Sequence, residues 1–195
     1  MSKITCTLLT LWLSVVGTGM GILWNYGQTP GVEGTPPLQW PSDSLVQRAS
    51  DKPTLVMFAH PHCPCTRASL GELSLLMTRC RGLVAAHVLF VKPASTPENW
   101  EKTDLWEEAS AIPGVEVVRD SEGYRARRFG IATSGQTVLY DSQGRFLYSG
   151  GITVTRGHRG DNAGRSAIVS LLTRQGAPPR GSPVFGCSLL TPGSN

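Results

Sequence analysis

Residues 59–66 read Ala-His-Pro-His-Cys-Pro-Cys-Thr. Two thiols, Cys63 and Cys65, stand one residue apart beside two imidazoles, His60 and His62. An apolar, β-branched run (Thr54, Leu55, Val56, Met57, Phe58) precedes them, and a helical pattern follows. Pro64 suits the first helical position, where its missing N–H costs nothing. That makes Cys63 the N-cap. Free amides and the positive end of the helix dipole favour a thiolate there. A thiolate serves as nucleophile or as soft-metal ligand, so redox and metal chemistry both stay open. In the redox reading Cys63 attacks a disulfide, Cys65 resolves the intermediate, and His62 tunes reactivity. A disulfide across so small a ring is strained and easily reduced, which suits an oxidant or isomerase. Two packed, unpaired thiols are the plainer alternative.

The remaining candidates are more scattered. His60 and His62 are otherwise polar loop residues at a strand exit. His158 sits in a glycine-flanked loop, Arg156-Gly157-His158-Arg159-Gly160, and is either a surface histidine or a third group for the thiols. Arg67 stabilises a thiolate or lies on a solvated helix face. Cys80 and His87 read as core residues. Cys187 joins the site only if the C-terminal tail folds back.

The elements that must position these residues follow from periodicity and breakers. A short helix is expected after Ser42, a buried strand over 54–58 and a helix over 64–80. A second buried strand spans 83–91, a helix 97–111, a third strand 115–118 and a short basic helix 122–129. A hairpin joins 136–140 to 145–148, and a last helix spans 161–174. Strand–helix alternation predicts an α/β fold with a central mixed β-sheet flanked by helices. Side chains at the carboxyl ends of its parallel strands meet at one rim.

The chain has 195 residues, 40% hydrophobic and 16% charged, enough for one globular domain without disulfide staples. Net charge is +4, with no dense Lys/Arg run, so nucleic-acid binding is not expected. Residues 4–24 carry no charge and are long enough for one transmembrane helix. Residues 1–24 are therefore read as a membrane anchor, with a cleaved signal as the alternative. Cys6 lies within this stretch. Lys3 is the only positive charge before it, which orients the chain as a single-pass cell-membrane protein with its C-terminal domain periplasmic. A Pro/Gly linker follows over 25–39, then the domain over 40–175 and an irregular tail over 176–195.

Strand, Cys-Pro-Cys and helix together resemble the thioredoxin-like superfamily, in its membrane-anchored extracytoplasmic members, over roughly residues 52–174. Cys63 falls on the family's nucleophilic cysteine and Thr66 on its second. Residues 129–140 look like the family's approach to its fourth strand. Gly135 stands at about the place of the cis-proline with which members grip an extended substrate. The resemblance implies a thioredoxin-like fold, thiol–disulfide oxidoreductase activity without a cofactor, and protein thiols or disulfides of the envelope as partners. A second resemblance is to thioredoxin-like copper-delivery proteins, which implies a Cu(I) metallochaperone with Cys63, Cys65 and His158 as ligands. A redox-inert binding module is the third possibility.

Overall fold

In a computed structural model that describes residues 2–189, the strands form one six-stranded sheet. The elements are α1 (Lys3–Gln28), β1 (Thr54–Ala59), α2 (Pro64–Arg79), β2 (Ala85–Lys92), α3 (Asp104–Ser110) and β3 (Val115–Ser121). They continue with α4 (Tyr124–Arg128), β4 (Thr137–Tyr140), β5 (Phe146–Gly150), α5 (Ala163–Thr173) and β6 (Gly181–Ser182). The strand order is β3-β2-β1-β4-β5-β6. β1, β2 and β3 run parallel, whereas β4 is antiparallel to both β1 and β5.

All six residues of β1 are buried, because the central strand is covered on both faces. Leu55 and Met57 point to a core shared with Leu70, Leu73 and Leu76 of α2, Leu105 of α3 and Ile168 of α5. Val56 and Phe58 point the other way, to Phe129, Ile131, Tyr140 and Leu189. Trp40 stacks edge-on against Phe129 and Tyr140 on that side. This second face is thus sealed by α4, by irregular chain before β1 and by the tail.

Several elements differ from the sequence expectation. No helix follows Ser42; residues 42–44 are turn. The helix expected over 97–111 begins only at Asp104, where the Thr103 side chain accepts from Leu105 N–H as N-cap. Residues 98–101 are turn, which frees Trp100 from a helix face. Part of the tail expected to be irregular supplies β6, parallel to β5, and an antiparallel bridge between Thr133 and Ser188. Its last residues, 190–195 with Pro192, lie outside the described residues. α1 has no buried residue and is long and apolar enough to cross a membrane.

Candidate active site

Cys63 occupies the N-cap of α2 with Pro64 in the first turn, at the carboxyl end of β1. Its side chain makes no capping hydrogen bond, so the sulfur is left for other partners. Those partners are thiols. The Sγ of Cys187 lies 2.7 Å away, and Cys65 also hydrogen-bonds to Cys63. Cys63 and Cys65 are both buried, at 1% and 7% exposure.

This clustering separates the three thiols electrostatically. The S–H of Cys65 is the strongest influence on Cys63 and favours its thiolate. Burial opposes it, while the Cys187 S–H and the backbone amides of Cys187 and Cys65 add to it. The Cys63 thiol is brought down to about 4. Cys65 moves far up, because it donates to Cys63, is buried and faces the Cys63 charge. Cys187 is pushed up to about 11, by burial first and then by its hydrogen bond to Cys63. Arg156 opposes both upward shifts. One reactive thiolate therefore sits between two protonated thiols.

A closed ring of hydrogen bonds holds the strand exit to the helix start. The His60 N–H donates to Ser134 Oγ (2.9 Å), and the Thr66 hydroxyl donates to the His60 carbonyl (2.9 Å). The Ser134 hydroxyl then completes the ring to Thr66 Oγ1 at 3.0 Å. Thr66, which the resemblance aligns with a second cysteine, here does structural work. Next to it Gly135 adopts φ +86°, and its N–H donates to the Phe58 carbonyl at 2.7 Å. A left-handed residue at this place explains why glycine stands there.

The histidines are distributed differently from the sequence expectation. His62 is exposed, its ring 4.5 Å from that of Trp100 and its Nε2 donating to the Trp100 carbonyl at 3.1 Å. That ring is committed to Trp100. His60 is the imidazole that feels the Cys63 charge. Burial lowers its pKa, the Cys63 charge works the other way, and the neighbouring His62 lowers it further. Its Nδ1 accepts from the His62 N–H at 3.2 Å, as a neutral ring can.

His158 does not join Cys63 and Cys65. Its Nδ1 lies 2.8 Å from the Arg156 carbonyl and 3.1 Å from Thr155 Oγ1, within its own loop. It also lines a cavity of about 560 Å³ beside Met20, Leu23 and Trp24 of α1. Among the described residues, no three His, Cys, Asp or Glu side chains are arranged to hold a metal ion. Cys63, Cys65 and His158 are thus not gathered as a ligand set among the described residues.

Arg67 pairs with Asp104 and, at 3.3 Å, with Glu108, tying α2 to α3 and leaving the thiols to another cation. That cation is Arg156, which sequence reasoning passed over two residues from His158. Buried Glu72 fixes the Arg156 loop to α2. It accepts from the Gly160 N–H at 2.8 Å and from Asn162 Nδ2 at 3.3 Å, and pairs with Arg165.

The fold is thioredoxin-like: a cysteine-bearing helix leaves the central strand, and an antiparallel hairpin continues the sheet on the side of that strand away from β2. No protein-family model matches the chain, and no curated protein matches it. Solved structures do. The chain is similar to a hypothetical protein of Sinorhizobium meliloti (19% identity, 86% of this chain and 99% of that one, TM-score 0.61). It is similar to an uncharacterized conserved protein of Geobacillus kaustophilus (22% identity, 84% and 93%, TM-score 0.59). A secreted disulfide oxidoreductase of Mycobacterium tuberculosis also matches (13% identity, 65% and 83%, TM-score 0.48).

Proposed function

We propose that the chain is a membrane-tethered thiol–disulfide oxidoreductase of the cell envelope, with Cys63 as its nucleophile. The observation that carries this reading is geometric: Cys63 stands at the α2 N-cap with the Cys187 Sγ 2.7 Å away and Cys65 in the first turn, and these thiols favour its thiolate. Such a thiolate is populated at neutral pH, and a neighbouring thiol can resolve the mixed disulfide it forms. Protein thiols and disulfides are its partners, and no cofactor is required. α1 supplies the tether, with the domain on the periplasmic side. Cys65 is the resolving thiol that the sequence suggests, and the contact of Cys187 with Cys63 offers a second candidate for that step.

The test is equilibration of the full chain, in detergent, across glutathione redox buffers. Each sample is alkylated and read by intact mass. A disulfide that includes Cys63 and titrates at roughly −120 to −230 mV, the range of catalytic dithiols, is the expected result. Thiols that stay reduced or carry a bound ion across the range would overturn this reading in favour of a metal-binding or redox-inert module.

A further inference from the structure

Residues 187–189 lie along residues 132–134, joined backbone to backbone around one bridge. The Ser134 N–H donates to the Cys187 carbonyl at 2.8 Å, and the Leu189 N–H donates to the Ala132 carbonyl at 2.9 Å. The bridge between Thr133 and Ser188 is antiparallel. Fully buried Val184 and nearly buried Leu189 pin the two ends of residues 184–189. On its other side the Gly31 N–H donates to the Val184 carbonyl at 2.8 Å, and Arg156 Nη1 donates to the Gly186 carbonyl at 2.7 Å. A Cβ on Gly186 would stand 1.9 Å from the Ser134 carbonyl oxygen, so the close approach depends on glycine. This seating delivers the Cys187 sulfur to Cys63 from 124 residues away, and Cys63 is almost completely buried.

The groups that hold the tail are mostly backbone N–H and C=O. Backbone pairing at an open edge accepts an extended segment whatever its sequence, and side-chain pockets then select. Here the selecting feature is a sulfur-seeking thiolate opposite one position of the added segment. The edge therefore suits an extended segment that carries a cysteine.

We propose that residues 184–189 are a tethered stand-in for substrate. At rest they fill the groove where an extended, cysteine-bearing segment of a partner protein docks, and Cys187 is the thiol that exchanges with Cys63. This inference rests on the oxidoreductase reading above. The tail first leaves the edge, and a partner segment that carries a disulfide takes its place. The Cys63 thiolate attacks one partner sulfur. The partner S–S bond breaks, and the other partner sulfur leaves as a thiolate. The tail then returns, Cys187 gives its proton to that thiolate, and its sulfur attacks Cys63. The Cys63–Cys187 disulfide forms as the mixed disulfide breaks, and the second partner sulfur leaves as a thiolate and takes a proton from water. Two electrons pass from the Cys63–Cys187 pair to the partner disulfide. Cys65 stays protonated as the donor that holds Cys63 as thiolate.

The test uses the reduced full chain in detergent and two probes. One is a synthetic peptide of residues 183–189 with its cysteine carried as the thionitrobenzoate mixed disulfide; the other is cysteine bearing the same group. Gly186→Val unseats the tail without touching a thiol. The ratio of peptide rate to small-probe rate is expected to rise by about tenfold or more over wild type, because a tethered occupant competes at millimolar effective concentration. An unchanged ratio, with the small probe still reacting, overturns the proposal alone. Failure of Cys63 to react with the small probe in Gly186→Val as well as in wild type overturns the oxidoreductase reading instead. Cys187→Ser, which keeps Gly186 and the fold, supplies a second readout. The Cys63–peptide adduct is expected to persist in that variant and to resolve to Cys63–Cys187 in wild type. Persistence in both, or resolution through Cys65, overturns the role of Cys187.

Discussion

Arg156 donates through Nη1 to the carbonyl of Gly186 at 2.7 Å, one residue before Cys187. The same guanidinium donates through Nε to the Thr29 carbonyl at 3.0 Å and lies 4.9 Å from the Tyr26 ring centre. Its backbone N–H donates to the Gly27 carbonyl at 3.1 Å. One residue thus joins the end of the apolar helix to the tail that carries Cys187. Arg156→Met removes a charge-assisted bond worth about 1.5–3 kcal/mol. Exchange of the Ser134 amide, whose partner is the Cys187 carbonyl, is expected to speed by about tenfold or more in deuterium labelling. Because the Arg156 charge lowers the Cys187 thiol, alkylation of Cys187 is expected to need higher pH in the variant.

Cys63 gives a sharper electrostatic test. Its thiol is brought down to about 4, so its alkylation rate is expected to level off above that pH and stay flat through neutrality. Cys65→Ala removes the largest stabilising influence, and the inflection is expected to move to higher pH. An unmoved inflection would assign the effect to the helix end instead. The linkage has a definite sign. A thiol with a lowered folded pKa stabilises the reduced fold most above its unfolded value, and that stability is lost as pH falls through about 4.

The Cys-Pro-Cys segment was legible because its signals are local: an apolar run, a proline at the first helical position and two thiols beside it. The same holds for β1, α2 and β2, whose burial patterns are continuous. Cys187 and Arg156 were harder to read because they reach the site through contacts 124 and 30 residues apart in sequence, Cys63–Cys187 and Arg156–Gly186. Only Gly186, placed just before a cysteine, hinted that the tail makes a close approach. His158 misled for a related reason. Its loop does approach the thiols, but through the arginine two residues earlier, while the imidazole bonds back to its own turn. Trp100 falls in the helix expected over 97–111, yet turn geometry brings it onto His60 and His62.

Glu72 is fully buried and pairs with Arg165 while accepting from Gly160 and Asn162. Removing one member of a buried pair leaves the other charge uncompensated. Glu72→Leu is expected to cost about 3–5 kcal/mol in urea unfolding. Arg156 and His158 share the loop that Glu72 anchors, so the Ser134 amide is expected to lose protection as well. A neutral result would mean that Arg165 finds solvent readily and that the loop is held elsewhere.

His87 carries a pH signature in the sheet. Burial lowers its pKa, opposed by Glu116, its register partner on β3, and by a backbone hydrogen bond to Gln47. Below the unfolded value of about 6.5 the unfolded chain binds a proton that the folded chain resists. Stability is therefore expected to fall with pH from there down to the folded value. His87→Leu is expected to reduce this slope in urea midpoints. His60, shifted the same way, retains part of it. An unchanged slope would assign it to other groups.

Gly135 decides whether this site can accept the proline that the resemblance places there. Its φ of +86° lies outside the range a proline ring allows, and its N–H is needed by the Phe58 carbonyl. A Cβ at this position would stand 2.8 Å from Ser69 Oγ, on the helix that carries Cys63. Gly135→Ala is expected to cost about 1–3 kcal/mol from backbone strain. Gly135→Pro adds the lost hydrogen bond and is expected to cost about 3 kcal/mol or more. Ser69→Ala relieves the contact, so the cost of Gly135→Ala is expected to fall in that background, a coupling readable by a double-mutant cycle. Equal costs in both backgrounds would assign the penalty to the backbone alone. A stable Gly135→Pro protein would mean that residues 133–136 can re-form around a proline. Their present shape would then follow from the tail seated against them.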